Sequence, residues 1–259
     1  MLLAIDCGNT NVVFSLFEGD ENRGEWRIET KHGRTADEYT AWFSHLLSLQ
    51  DLTLKVIDDV IIASVVPPVT EQLRRFSERH LGHTAMVVGD SDVKLGVSVD
   101  IDMPSQVGAD RLVNAHAASS IAELPAIILD FGTATTFDLI KKGNVYAGGV
   151  IAPGIHLSAS ALSEAAARLP EIDIVPFGAD LPIIGRDTKA AMRSGIFWGY
   201  VSMIEGVIAR ISKQEGANLS VIATGGLAHL FAPHIPQIKA VDDQLTMRGL
   251  VQIHAMNKV

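Results

Sequence analysis

An apolar run that ends in Asp and breaks into a glycine-bearing turn occurs twice in this chain, about half its length apart. The first copy is Leu2-Leu3-Ala4-Ile5-Asp6-Cys7-Gly8-Asn9-Thr10-Asn11. The second is Ala126-Ile127-Ile128-Leu129-Asp130-Phe131-Gly132-Thr133-Ala134-Thr135-Thr136. A short apolar run bounded by turn residues reads as a buried strand. Glycine permits a tight backbone and close approach, Asn and Thr favour turns, and the N–H groups exposed in such a turn form a nest for anions. Taken singly, the first is equally a hairpin with a Gly-Asn turn, and the second equally a Thr-rich strand. Taken together they predict two halves of similar architecture that close on one nucleotide.

The rest of the chain fits that frame. Strands are expected at 2–5, 12–17, 25–30, 58–66 and 84–88, with strand character at 95–101 inside a loop. Helices are expected from Thr35, at 69–80 and from about 108 to 118. Thr35 with Glu38 has capping-box spacing, and Trp42, Phe43, Leu46 and Leu47 make the apolar stripe. Pro67-Pro68 stops the strand before them. After Pro125, strands are expected at 126–131, 134–140, 145–151 and 219–223. Helices follow at 155–167, 188–214 and 245–256, with a Pro-rich loop at 170–187. Alternation of this kind is α/β. The expected domains are 1–117 and 118–259.

Composition removes several function classes. The 259 residues carry a net charge of -9 with Lys and Arg dispersed, which argues against a nucleic-acid surface. An anionic ligand must then be met by backbone amides, helix N-termini, a few cationic side chains or a metal. The single Cys7 rules out an internal disulfide and fits a reducing compartment. No stretch reaches the roughly 20 uncharged residues of a spanning helix, and no signal peptide is visible. A cytoplasmic chain with no membrane partner is expected. The nine His residues lack zinc-ligand spacing, Ser158 and Ser160 lack a nucleophile-elbow context, and no P-loop is present.

Three further motifs carry chemistry. In Gly108-Ala109-Asp110-Arg111, Asp110 at a helix start can simply cap it. Arg111 can simply be a solvated surface charge, and spacing alone favours these plain roles. Together at a cleft, the carboxylate can instead accept the proton of an attacking hydroxyl while the guanidinium holds an anionic substrate. Gly148 to Gly154 (GGVIAPG) and Thr224-Gly225-Gly226 suit either close approach to a ligand or a packing turn. Asp6, at a strand end, is a hard-oxygen donor for a cation near phosphates.

With these blocks assembled, the chain resembles the type III pantothenate kinases of the acetate and sugar kinase, heat-shock chaperone and actin superfamily. The resemblance rests on DCGNTN at 6–11, GADRLVNA at 108–115, DFGTATTFD at 130–138, GGVIAPG at 148–154, IGRDTKAAMRSGIFWGY at 184–200, TGGLA at 224–228 and LTMRGL at 245–250. It implies two ribonuclease H-like (actin-like) domains with a central nucleotide cleft. It also implies transfer of the ATP γ-phosphoryl group to pantothenate, the first step of coenzyme A biosynthesis. By position, Asp6, Cys7, Gly8, Asn9, Thr10, Asn11, Val12, Val13 and Thr133 would bind ATP, with Asp6 near Mg²⁺. Gly108, Ala109, Asp110, Arg111 and Thr188 would line the pantothenate site, with Asp110 as general base. Asp130 would hold a monovalent cation, potassium or ammonium, and the protein would be a homodimer. Many members carry Tyr-Asp-Asn-Pro ahead of the Gly108 block, with the Tyr touching pantothenate. Here the stretch is Ile101-Asp102-Met103-Pro104, so Ile101 receives no polar role. The alternative is a non-catalytic transcription accessory or regulatory protein on the same fold, against which Asp6, Asp110, Arg111 and Asp130 standing together weigh.

Overall fold

The strand after Met1 is apolar on both faces because it becomes a central strand. The structure, a computed structural model, describes residues 1–165, 169–175 and 182–258. The chain runs β1 (Leu2–Cys7), β2 (Asn11–Glu18), β3 (Glu21–Glu29), α1 (Ala36–Ser48), β4 (Asp59–Ser64), α2 (Pro67–Phe76), β5 (Met86–Val87), β6 (Ser98–Val99) and α3 (Ala109–Ala118). It continues with β7 (Ala126–Phe131), β8 (Ala134–Lys141), β9 (Val145–Pro153), α4 (Ile155–Ala165), α5 (Thr188–Glu215), β10 (Ser220–Thr224), α6 (Ala228–Phe231), β11 (Ile238–Val241) and α7 (Leu245–Asn257). By contacts the chain divides into Met1–Ser120 with Gln244–Val259, and Ile121–Asp243.

The expected repeat is one of topology. In the first unit the strands lie in the order β3-β2-β1-β4-β5, and in the second β9-β8-β7-β10-β11. In both, the leading strand pairs antiparallel with its hairpin partner and parallel with the strand three further on, β1 with β4 and β7 with β10. Two ribonuclease H-like sheets of α/β class are therefore present. β1 and β7 are buried on both faces, which is why they read as unbroken apolar runs.

In the first unit, Leu3, Ile5 and Cys7 of β1 face a core built on Phe14, Tyr39, Phe43, Leu73 and Phe76. The ring of Phe14 meets those of Trp42 and Phe43 at 5.2 and 5.0 Å. Each such ring stabilises by about 1.5–3 kcal/mol through burial alone. The opposite face packs Ala4, Ile61 and Ala63 against Val113 of α3 and Leu250 and Ile253 of α7. α1 is capped as the sequence predicts: the Glu38 amide donates to Thr35 Oγ1 at 3.3 Å and the Thr35 amide to Glu38 Oε2 at 2.8 Å. In the second unit, Ile127, Leu129 and Phe131 face Phe197, Tyr200, Val201 and Ile204 of α5 and Phe231 of α6.

Several elements differ from expectation. The strands expected at 84–88 and 95–101 shrink to β5 and β6, two residues each. β9 continues through Gly148-Gly149 to Pro153; its register on β8 shifts between Asp138 and Ile140, an irregularity that Gly148 accommodates with φ +96. α6 and β11 have no counterpart in the expected elements. The contact units also differ from the 1–117/118–259 division. α7 groups with the first unit because Gly249 lets it lie directly on α3, where a Cβ would come 2.6 Å from the Val113 carbonyl oxygen. Of the expected helix at 155–167 and loop at 170–187, residues 166–167 and 176–181 lie outside the described residues.

Candidate active site

The first turn is held by hydrogen bonds from a distant strand end. The Gly8 amide donates to the Asn11 carbonyl at 3.0 Å, the Thr30 amide donates to the Thr10 carbonyl at 2.9 Å, and Thr30 Oγ1 donates to the Gly8 carbonyl at 2.7 Å. Thr30 follows β3 and has no sequence signal linking it to Gly8. Alternation along β1 sorts the expected nucleotide-binding residues. Asp6 lies on the face of Leu2 and Ala4, which α3 and α7 cover, whereas Cys7 and its cross-strand partner Val12 are buried in the opposite core. Cys7 and Val12 can therefore offer a ligand only backbone groups. Burial pushes the Cys7 thiol up to about 11, partly offset by a hydrogen bond from Ser64 and reinforced by the Asp6 charge. Asn9 and Thr10 are exposed, and Asn11 and Val13 half-buried.

Helix α3 starts beside that turn. The Val65 amide, just past β4, donates to the Cys7 carbonyl at 3.1 Å. The Val65 side chain in turn meets Gly108: a Cβ on Gly108 would lie 3.2 Å from Val65 Cγ1 and 2.4 Å from Asp110 Oδ1. Asp110 thus folds back over Gly108, and its Oδ1 accepts the Arg111 amide at 2.8 Å. Gly108 caps the helix without a side-chain bond, so an acid in the first turn meets the positive end of the helix dipole. Val113, one turn on from Asp110, packs on Ala4 and Ala63. The sequence therefore brings Asp6 and the Gly108–Arg111 block to one face and one end of the same sheet. Asp110 and Arg111 are both half-buried.

The second turn is built by close packing. A Cβ on Gly154 would come 2.2 Å from the Thr133 carbonyl oxygen and 3.0 Å from that of Gly132. Gly225 has φ +89, and a Cβ there would lie 2.5 Å from Asp130 Oδ1 and 2.8 Å from Phe131 backbone atoms. Gly154 and Gly225 thus pack directly against the 130–133 turn. Asp130 lies half-buried in this glycine-walled cradle, and Thr133 is exposed at its tip. On the other side of the hairpin, Thr135 Oγ1 hydrogen-bonds Tyr200 Oη from α5. Burial pushes the Tyr200 phenol up to about 12, with the Asp130 charge adding to it and the Thr135 bond opposing. Asp138, fully buried, accepts from Tyr146 Oη at 2.9 Å and Thr136 Oγ1 at 3.2 Å.

Thr188 opens α5 and is exposed. Asp187 caps that helix by accepting from the Ala190 amide at 2.9 Å, and Gly185 lies flat on its first turn, where a Cβ would meet the Ala191 amide nitrogen at 2.2 Å. Ile101 is half-buried next to exposed Asp102 and Met103. Among the described residues no helix is long and apolar enough to cross a membrane.

The profile of the family described as type III pantothenate kinase matches residues 2–210. A type III pantothenate kinase from Rhodospirillum rubrum is 50% identical over 258 residues, spanning 100% of this chain and 99% of that protein. Among solved structures, a Campylobacter jejuni protein described as a Baf family transcriptional activator aligns with TM-score 0.60 at 19% identity over 98% of both chains. A Porphyromonas gingivalis protein described as an N-acetylglucosamine kinase aligns with TM-score 0.53 at 16% identity over 100% of both. At such identities the structural matches show the shared fold alone.

Proposed function

The chain belongs to the type III pantothenate kinase family, and from that premise we propose how its residues divide the reaction. The activity is ATP-dependent phosphorylation of pantothenate to 4′-phosphopantothenate in coenzyme A biosynthesis. The observation that carries the residue assignment is the convergence of Asp6 and Asp110 on one end of the first sheet, with the turn at Gly8–Asn11 between β1 and β2.

Phosphoryl transfer asks a protein for positioning and charge neutralisation more than for covalent chemistry. In this reading the backbone amides of the 8–11 turn, with the Asn9 and Thr10 side chains, receive ATP phosphates, and Thr133 contacts the nucleotide from the second turn. Asp110 accepts the proton of the pantothenate hydroxyl as it attacks. The Arg111 amide on Oδ1 and the crowding of Gly108 fix the carboxylate's direction. The Arg111 guanidinium takes the pantothenate carboxylate as a bidentate partner, and the Thr188 hydroxyl adds a hydrogen bond.

The residues fit the two cations the family implies. Mg²⁺ takes one or two carboxylates and fills its shell with phosphate and water, and Asp6 supplies such a carboxylate at the end of β1. Asp130 supports a potassium or ammonium ion, since a Cβ at Gly225 would fill the space against its Oδ1. When bound, these cations supply positive charge against the phosphates. A homodimer is favoured by apolar side chains left on the surface of β9 and α4, with Ile151 64% and Leu157 57% exposed. The buried lone thiol and the ATP requirement suit the cytoplasm.

A coupled assay with a panel of acceptors tests the reading. Turnover of pantothenate, and not of acetate or an amino sugar, is expected with Mg²⁺ and potassium present. No turnover of pantothenate under those conditions would overturn it.

A further inference from the structure

Tyr200 stands where the supports of the second turn meet, and no motif assigns it a task. Its hydroxyl is bonded to Thr135, the residue that pairs across the hairpin with Phe131, so the bond grips the turn at 132–133 immediately below its tip. Its ring lies 4.8 Å from that of Phe231 and 6.2 Å from that of Phe131. Phe131 stacks on Phe231 at 5.6 Å with the planes 6° apart. Phe231 ends α6, whose start is tied to the glycine loop by the Ala228 amide donating to the Gly225 carbonyl at 3.1 Å. One side chain therefore touches the hairpin, the strand end behind Asp130 and the helix that anchors Gly225.

We propose that Tyr200 is a positioning residue for ATP: its hydroxyl, through Thr135, holds the Asp130–Thr133 turn in the geometry that receives the nucleotide. This rests on the assignment of Thr133 to ATP made above. Both oxygens lie in a buried, water-poor core, since Thr135 is fully buried and Tyr200 nearly so. A polar group stripped of its partner there is not rescued by solvent. The turn next to it must then move to recover a hydrogen bond. The phenol stays protonated throughout the working range, because its proton leaves only near 12, so the support does not vary with pH.

The test compares wild type with Tyr200→Phe, Thr135→Val, the double variant and Thr135→Ser, in steady-state kinetics and in calorimetric titration of ATP without pantothenate. Phe keeps the aromatic contacts and Val the shape, so both should fold. Tyr200→Phe is expected to raise the KM and the Kd for ATP ~5–30-fold, with a smaller change in kcat and none in the KM for pantothenate. The double variant should be no worse than the worse single one, since both remove the same bond. Thr135→Ser should bind ATP within ~2-fold of wild type, because it keeps the hydroxyl. Unchanged ATP affinity in Tyr200→Phe, additive effects in the double variant, or equal loss for both substrates together with a lowered Tm would overturn the proposal. If wild type binds ATP but does not phosphorylate pantothenate, the functional reading fails instead, and the ATP titration still decides the role of Tyr200.

Discussion

Gly108→Ala separates the chemistry of Asp110 from the stability of its helix. A Cβ there would lie 2.4 Å from Asp110 Oδ1, about 1 Å inside ordinary van der Waals contact. Gly108 has φ -62 and ψ 146, which alanine adopts without strain. The other close neighbour is Val65 Cγ1 at 3.2 Å, a contact that a few tenths of an ångström relieve. The carboxylate is therefore the group that yields. For the fold, the loss is that of glycine to alanine at an N-cap, about 1 kcal/mol, or ~2–4 °C in Tm for a chain of this size. For catalysis, a 1 Å displacement of a positioned group costs on the order of 10²-fold. The kcat of Gly108→Ala should therefore fall about 10²-fold in a protein that still folds and still binds ATP. Asp110→Asn should lower kcat ~10²–10⁴-fold, and the double variant should be no slower than Asp110→Asn alone, because both act on one group. Steady-state kinetics with thermal melts of all three decide it. A normal kcat in Gly108→Ala, or losses that multiply in the double variant, would show that Gly108 does not set the direction of the Asp110 carboxylate.

Activity should rise with potassium or ammonium and not with sodium, and Asp130→Asn should raise the potassium needed for half-maximal rate by ~10-fold; equal rates in all three salts would remove Asp130 from that task. Cys7, the single thiol in the chain, is held near 11 by burial, so only ~0.1% is thiolate at pH 8. A thiol reagent should find almost nothing in the native protein and one thiol per chain after denaturation; fast native labelling would contradict the buried placement. Burial lowers His116 and His254 from 6.5. Below that value the unfolded chain binds protons that the folded one refuses, so the stability these residues contribute is full above pH 6.5 and is lost as pH falls through their folded values. Tm should decline from pH 7 to 5.5, less steeply in His116→Gln and His254→Gln, and a flat profile in wild type would count against it.

Local signals carried the sequence reading a long way. The Asp–Gly turns and the Thr35–Glu38 capping box are written in adjacent residues, and the structure has them; Pro67-Pro68, expected only to stop the strand before a helix at 69–80, itself opens α2. The two sheets share one order because each opens with the same strand–turn–strand pattern. What escaped was non-local. Thr30 reaches Gly8 across 22 residues and Tyr200 reaches Thr135 across 65, and nothing in either neighbourhood marks the pairing. Gly154 and Gly225 were visible as glycines but not as walls, since their partners Thr133 and Asp130 lie elsewhere in the chain. α7 follows the second unit in sequence yet packs on α3 of the first, because Gly249 matches the Val113 backbone rather than any neighbour in sequence. β5 and β6 are too short for a periodic pattern to bound them.

In the proposed reaction Asp110 is the base that frees the pantothenate hydroxyl for attack on ATP. The direct measurement mixes the protein with ATP, Mg²⁺, potassium and pantothenate and follows the acceptor by mass spectrometry. Wild type should give 4′-phosphopantothenate in step with ADP, and Asp110→Asn should form it ~10²–10⁴-fold more slowly at unchanged ATP affinity. ADP without phosphorylated acceptor, or an Asp110→Asn variant as fast as wild type, would contradict it.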